Sequence, residues 1–252
     1  MKESAIITNK TYNPSDIICE FTDTTTHKMD MELMNTVDNR WCDTVNNAIN
    51  NGKTCYNGWS YRVENIEERG NKLYVKLSII EFKKRLILQR MLLNNEDMPD
   101  YSTPNAVSTG GIVKTNDGYY VLVRLSNSTM NNNTYEVPGG MCENTWDNEV
   151  ITTNQKLEVH EEIGVLERDY KVFTLLGVIK KKATEYNFVY YHELHISKNE
   201  LLEQYKSVTD TDITGIECFL EDDYKRVMKA INKSKEQYIE LLDAYQNTYK
   251  IT

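Results

Sequence analysis

The sequence predicts a mixed α/β protein, an α/β/α sandwich built on a mixed sheet and preceded by a smaller N-terminal α+β unit. Three observations predict it. Segments that alternate apolar and polar residues interleave with segments of helical periodicity along the whole chain. Glycine-bearing turns at Glu68-Arg69-Gly70-Asn71 and Asn116-Asp117-Gly118 each separate two alternating runs, the mark of hairpins. At 252 residues the chain is long enough to bury a large core as one domain or as a domain with a smaller companion.

The first region covers residues 1–103. Asp30 to Asn50 is predicted as an amphipathic helix with Met31, Met34, Val37, Trp41, Val45, Ala48 and Ile49 inward. Ser60–Ile66 and Lys72–Ile80 alternate as the two strands of a hairpin, and a helix follows from about Phe82 to Leu93. Residues 94–105, with Pro99 and Pro104, read as a linker or covering loop. The second region, 104–252, opens with strands Ala106–Val113 and Tyr119–Leu125 around the Asp-Gly turn. A short strand then runs into Pro138-Gly139-Gly140, and a helix-sized stretch begins near Trp146. Strands are expected near Val172–Lys181, Phe188–Ile196 and Glu217–Leu220, before one long helix over about Asp222–Gln246. No internal repeat is evident.

Composition narrows the class. The net charge of −9 argues against broad nucleic-acid binding, which depends on phosphate neutralisation by Lys and Arg. The basic runs Lys83-Lys84-Arg85 and Lys180-Lys181-Lys182 read as solvated surface. Charged or amide residues interrupt every long apolar stretch, so no segment is expected to span a membrane, and the opening MKESAIITNK lacks a signal-peptide core. Cys19, Cys42, Cys55, Cys142 and Cys218 are odd in number, scattered and without a CxxC pair, which suggests reduced thiols and a cytoplasmic protein. His192 and His195, three apart on an apparent strand, face opposite sides and make a poor metal pair.

The most informative stretch is WDNEVITTNQKLEVHEEIGV, from Trp146 to Val165. On a helix Glu158, Glu161 and Glu162 share one face, where like charges cost about 0.2–0.5 kcal/mol per pair. Gly164 reads as the C-terminal cap, so the acids also sit at the negative end of the helix dipole. A turn that breaks two local rules is expected to hold something positive, and several hard oxygens suit Mg²⁺, with Mn²⁺ as the alternative. A solvated acidic face is the competing reading. Before the helix, Tyr135-Glu136-Val137-Pro138-Gly139-Gly140 supplies glycines whose backbone could approach a metal or phosphate closely.

These residues resemble the Nudix family, whose box runs Gly, five residues, Glu, seven residues, then Arg-Glu-apolar-x-Glu-Glu-x-Gly-apolar. Gly140 stands for the first Gly, Glu149 for the next Glu, and Leu157 to Val165 for the second half. Two departures stand out. Eight residues separate Gly140 from Glu149, and Leu157 occupies the place of the Arg. The order of the remaining parts, a helix plus hairpin, then DGYYVLVRLS (117–126), then VPGG (137–140), is similar to the eukaryotic UDP-glucose/galactose pyrophosphatase branch.

That resemblance implies Mg²⁺-dependent cleavage of a UDP-sugar to UMP and sugar 1-phosphate. It implies Glu158 and Glu162 as metal ligands, with the Gly140 carbonyl as a further one and Glu161 either completing the shell or acting as general base. An extra acid from a later loop falls at Asp212, for which an ordinary turn is the competing role. The same match puts Tyr56 and Phe82 near the base, Glu136 and Glu143 around the ribose and phosphate entrance, and Arg124 against a phosphate. For the aromatics, core packing competes. Two other readings stay open: hydrolysis of another nucleotide such as ADP-ribose, a dinucleotide, coenzyme A or an mRNA cap, and a catalytically silent module that binds nucleotide or protein.

Overall fold

The computed structural model describes residues 4–22, 29–52, 55–99, 102–126, 134–142, 148–181, 184–231 and 235–249. Two short strands precede the first helix, β1 (Ala5–Thr8) and β2 (Ile17–Phe21). Helix α1 (Met31–Asn50) starts where Asp30 accepts the Leu33 N–H at 2.8 Å, an N-cap that satisfies one orphan donor. The hairpin of β3 (Trp59–Arg69) and β4 (Lys72–Glu81) turns at Gly70, whose φ of +61° glycine tolerates best, and α2 (Phe82–Leu93) follows directly. Next come β5 (Ala106–Lys114), β6 (Tyr120–Leu125), β7 (Tyr135–Glu136) and α3 (Val150–Ile163). Strands β8 (Tyr170–Lys181) and β9 (Glu185–Leu194), α4 (Lys198–Tyr205), β10 (Ile213–Phe219), α5 (Glu221–Ile231) and α6 (Glu236–Tyr249) complete the chain.

Among the described residues ten strands join in one mixed sheet, ordered β1-β8-β9-β5-β3-β4-β2, with β6 bridging β5 to β10 and β7. The pairs β2/β4 and β5/β9 are parallel and the others antiparallel. The sheet is continuous between the two sequence regions, since Arg62 of β3 pairs with Ala106 of β5.

Alternation along the strands makes the sandwich. Ile112, Tyr120, Leu122, Leu176 and Val189 pack against Tyr224 and Met228 of α5 and Leu241 and Leu242 of α6. Their neighbours Val113, Val121, Val123 and Leu194 pack on the other face against Val159 and Ile163 of α3 and Leu201 of α4. Each such side chain contributes about 1.5–3 kcal/mol when fully buried. A third cluster joins Tyr61, Val63, Leu73, Val75 and Leu77 of the β3/β4 hairpin to Val107, Ile151 and Phe188. Helices α1 and α2 share a smaller cluster of Leu33, Val37, Ile87, Leu88 and Met91.

Three expectations need correction. The inward face of α1 is Leu33 and Val37 with Trp41 partly covered, while Met31 and Ile49 are 70 % and 62 % exposed. Among the described residues the α1/α2 cluster takes in Leu33, Val37 and Trp41 of α1 and does not extend to Met31 or Ile49. The single C-terminal helix is two helices, with 232–234 outside the described residues. Both bury apolar residues in one cluster with each other, which one straight helix of that length cannot do. The basic runs are not simply solvated. Lys83 pairs with Asp38 at 2.8 Å, Lys84 with Glu81 at 2.5 Å, and Arg85 turns inward. Lys181 likewise pairs with Glu185 at 2.9 Å, while Lys182 lies outside the described residues. No described helix is long and apolar enough to cross a membrane.

Candidate active site

The segment from Val137 to Cys142 lies alongside β5 as an irregular strand. Gly111 N–H donates to the Pro138 carbonyl at 2.7 Å, Thr109 N–H to Gly140 at 2.9 Å, and Cys142 N–H to Val107 at 3.0 Å. Two glycines permit this and do different work. Gly139 holds φ at +153°, and any side chain there would run into the Thr109 carbonyl. At Gly140 the space a Cβ would fill is taken by the carboxylate of Glu158. The chain therefore brings the glycine loop and the acidic helix into direct contact.

Helix α3 supplies the acids. It ends on Gly164, left-handed at φ +80°, whose N–H returns to the His160 carbonyl at 2.9 Å. Val159 and Ile163 anchor one side in the core, which fixes the rotation of the helix and turns Glu158 and Glu162 toward the loop. Glu161 stays exposed, Glu158 is half-buried, and Glu162 is buried at 9 % exposure. Gly139 N–H donates to Glu162 at 2.9 Å. Burial, then the neighbouring Glu158, followed by Asp210 and Glu161, pushes the Glu162 carboxyl up to about 9 against that one stabilising N–H. Asn154 and Gln155 of the same helix brace the floor through Thr109 (3.0 Å) and the Pro138 carbonyl (3.3 Å).

Three hollows run in series past this turn. One of about 210 Å³ lies between Met141 and α3 and is lined by Asn154, Leu157, Glu158 and Glu161. Glu161 also lines a second, of about 520 Å³, with His160, Gln204 and Asp210. Met141 is shared with the third, of about 360 Å³, where Tyr56, Trp59, Ser60, Phe82 and Arg85 of the N-terminal region meet Cys142.

The structure packs Glu158 against Gly140 and Glu162 against Gly139, sets Glu161 beside Glu158 on the wall of a hollow, and puts Tyr56 and Phe82 in an adjoining one. Tyr56 is 79 % exposed at the mouth. Phe82 is engaged from two sides, with the Arg85 guanidinium 4.8 Å over its ring and Trp41 edge-on at 6.0 Å. Arg124 is placed elsewhere. It follows Tyr120 and Leu122 onto the α5/α6 face and is bound to Glu217 and, at 2.9 Å, to the Tyr135 hydroxyl. Glu136 pairs with Lys235 and lines none of the three hollows. Asp212 makes a turn: its N–H donates to Asp210 at 2.7 Å and its carbonyl accepts from Ser126 at 2.8 Å. The acid that faces Glu161 is Asp210, two residues earlier in the same Asp-Thr-Asp. Glu143 and Trp146 lie outside the described residues.

Sequence reasoning misses Asp210, Ser60, Arg85 and Met141. The Asp-Thr-Asp motif signals an acid here, but spacing alone does not say which of its two carboxylates turns toward α3. The others belong to no local pattern, because the hollow they line is closed only when the hairpin lies beside the glycine loop.

The donor set around α3 is all oxygen, which fits Mg²⁺ or Mn²⁺ better than a softer metal. Among the described residues no three His, Cys, Asp or Glu side chains converge on a single point. What favours a cation is the electrostatic strain: a buried carboxyl crowded by Glu158 and Asp210 needs either a proton or a metal.

No protein-family model matches the sequence, and no curated protein matches it either. Solved structures similar to the chain include the Nudix hydrolase from Nitrosomonas europaea, at 19 % identity and a TM-score of 0.37 over 55 % of this chain and 88 % of that one. The Nudix domain of Shewanella oneidensis NrtR in complex with ADP ribose gives 13 %, 0.39, 60 % and 98 % for the same quantities. The Bacillus subtilis pyrophosphohydrolase BsRppH gives 17 %, 0.37, 60 % and 87 %.

Proposed function

We propose that the chain is a Nudix-type hydrolase that cleaves the diphosphate linkage of a nucleoside diphosphate derivative, a UDP-sugar by preference. The observation that carries this reading is the packing of Glu158 and Glu162 onto Gly139 and Gly140, one side chain away from an aromatic-lined hollow of about 360 Å³. A diphosphate needs its charge neutralised and a water aligned on one phosphorus. Glu158 and Glu162, with the second lone pair of the Gly140 carbonyl, would hold Mg²⁺, which when bound neutralises phosphate oxygens and lowers the pKa of water. Glu161 is exposed between two hollows and Asp210 lines the second with it; in this reading Glu161 would take a proton from the attacking water. The aromatic hollow would receive the nucleoside.

A second reading, a module that binds nucleotide without cleaving it, draws on Leu157. It stands where the family has Arg and is 49 % exposed, so no cation is supplied beside Glu158 from that position.

Product analysis of UDP-glucose incubated with the protein and Mg²⁺, beside Glu162→Gln, tests the reading. UMP and glucose 1-phosphate are expected from the parent, with turnover at least ~10²-fold lower in the variant. No product from UDP-glucose, ADP-ribose or a dinucleotide would overturn the hydrolase and favour the binding module.

A further inference from the structure

Lys235 immediately precedes α6 and is buried at 5 % exposure, a poor place for a cation on two counts. Burial strips its hydration, and the N-terminal end of a helix repels positive charge. Burial pulls its ammonium down to about 7, and the Glu136 carboxylate beside it opposes that loss of the proton. A residue that breaks two local rules is held there for what it touches. Its ammonium pairs with Glu136, the last residue of β7 and the one from which the chain enters the loop of Gly139 and Gly140. Strand β7 is two residues long and pairs with β6 alone among the described strands. So short a ladder does little to fix the direction in which the chain leaves it.

The same turn of α6 reaches the other end of the loop. Tyr238, three residues after Lys235, has its ring 4.9 Å from the ammonium and sits beside Val137 in space that Gly110 of β5 leaves open. Its hydroxyl donates to Asn187 Oδ1 at 2.6 Å, and Asn187 Nδ2 donates to Ser108 Oγ at 2.7 Å. Ser108 Oγ donates onward to Glu185, which Lys181 holds at 2.9 Å. Ser108 is also the β5 residue bridged to Met141, where the loop ends. Tyr238, Asn187 and Ser108 are all buried, so this chain of hydrogen bonds is shielded from water. We infer that Lys235 and Tyr238 are positioning residues for the glycine loop. Lys235 fixes its entrance through Glu136, and Tyr238 fixes its exit through Asn187 and Ser108. Both act from the α5/α6 face, across the sheet from α3, and what they set is how Gly139 N–H meets Glu162 and how Gly140 meets Glu158. This rests on the reading of that contact as the reacting centre, and it gives α6 a part in the site.

Amide hydrogen exchange in EDTA tests it, read at Gly139, Cys142, Thr109 and Gly111, whose N–H groups tie the loop to α3 and β5. Lys235→Met keeps the apolar stem and removes the cation. Exchange at Gly139 and Gly111 is expected to quicken at least ~10-fold in it, while the Val159 and Leu201 amides stay within ~2-fold of the parent. Glu136→Gln should reproduce this pattern, and the double variant should be no faster than the faster single, since the two residues act as one pair. Tyr238→Phe, which loses only the hydroxyl, should quicken Cys142 and Thr109 more than Gly139. Where the parent takes up Mg²⁺, Lys235→Met should bind it ~10-fold more weakly, whereas Ser197→Ala, a destabilisation remote from the loop, should not. Unchanged exchange in a folded Lys235→Met, quickening spread evenly over the chain, or additive effects of the two substitutions would each overturn the assignment. The exchange pattern needs neither metal nor turnover, so a silent UDP-glucose assay would sink the hydrolase and leave this result standing.

Discussion

His192 occupies the middle of β9 with its ring packed against Phe173 at 4.9 Å and Tyr170 at 5.5 Å, and neither ring nitrogen has a partner among the described residues. Burial, aided by the Lys156 cation, pushes its pKa down from 6.5 to about 3. The folded protein therefore refuses a proton that the unfolded chain accepts below pH 6.5. Since the unfolded state binds more protons in that window, stability falls as the pH drops from 6.5 toward 3, by up to ~1.4 kcal/mol per unit. Urea unfolding at pH 6.5 and 4.5 should show the parent losing roughly 2–3 kcal/mol more than His192→Leu over that interval. Parallel losses in the two proteins would mean that the imidazole is not the acid-sensitive group. The same residue illustrates why single positions are hard to read from sequence. An isolated His on a strand gives no sign of which face it takes, and only the packing of Gly111 and the aromatic rings around it excludes the charged form.

At the scale of elements, local chemistry and tertiary packing divide the outcome. Helix α4 begins with Ser197 and Glu200 in a capping box, the Ser197 N–H donating to the Glu200 carboxylate at 2.7 Å and the Glu200 N–H to Ser197 Oγ at 3.4 Å. Ser197→Ala should cost about 1 kcal/mol, which for a domain of this size is a fall of roughly 2–4 °C in melting temperature. An unchanged melting curve would show that Leu201 packing alone holds the helix. The signal Ser-x-x-Glu is present in the sequence, yet it does not by itself predict the helix, because eight residues are too few to establish a periodicity. The same shortness hides β1 and β2, of four and five residues. By contrast α2 is legible to the residue, Phe82–Leu93, and the β3/β4 hairpin nearly so, since Gly70 marks its turn. The acidic turn of α3 is legible for a different reason. Glu158, Glu161 and Glu162 break local rules together, and that conflict survives in the fold as the raised Glu162.

At the scale of the molecule, the candidate site is assembled from segments far apart in sequence: Tyr56 to Arg85, the loop at Gly139 to Met141, α3, and Asp210 before β10. The loop is tied to the central strand β5 through Thr109 and Gly111, α3 is anchored in the core through Val159 and Ile163, and the Asp210 turn is tied to the end of β6 through Ser126. A cation bound among the α3 carboxylates would thus bridge elements that separate only when the domain unfolds, and it would replace the proton that Glu162 otherwise needs. Its binding energy should appear as global stability. At a concentration ~100-fold above its dissociation constant a ligand adds about 2.7 kcal/mol, worth roughly 5–10 °C here. Thermal melts of the EDTA-treated protein are expected to rise by that order on adding Mg²⁺ at pH 7.5, and to rise further at pH 8.5, where proton competition at Glu162 weakens. Glu162→Gln should melt higher than the parent in EDTA at pH 7.5, because a neutral amide is spared the cost of protonating a carboxyl raised to about 9, and should gain little from Mg²⁺. A parent indifferent to Mg²⁺, or a variant that gains as much as the parent, would remove the metal from α3 and leave Glu162 as a carboxyl kept neutral by burial alone.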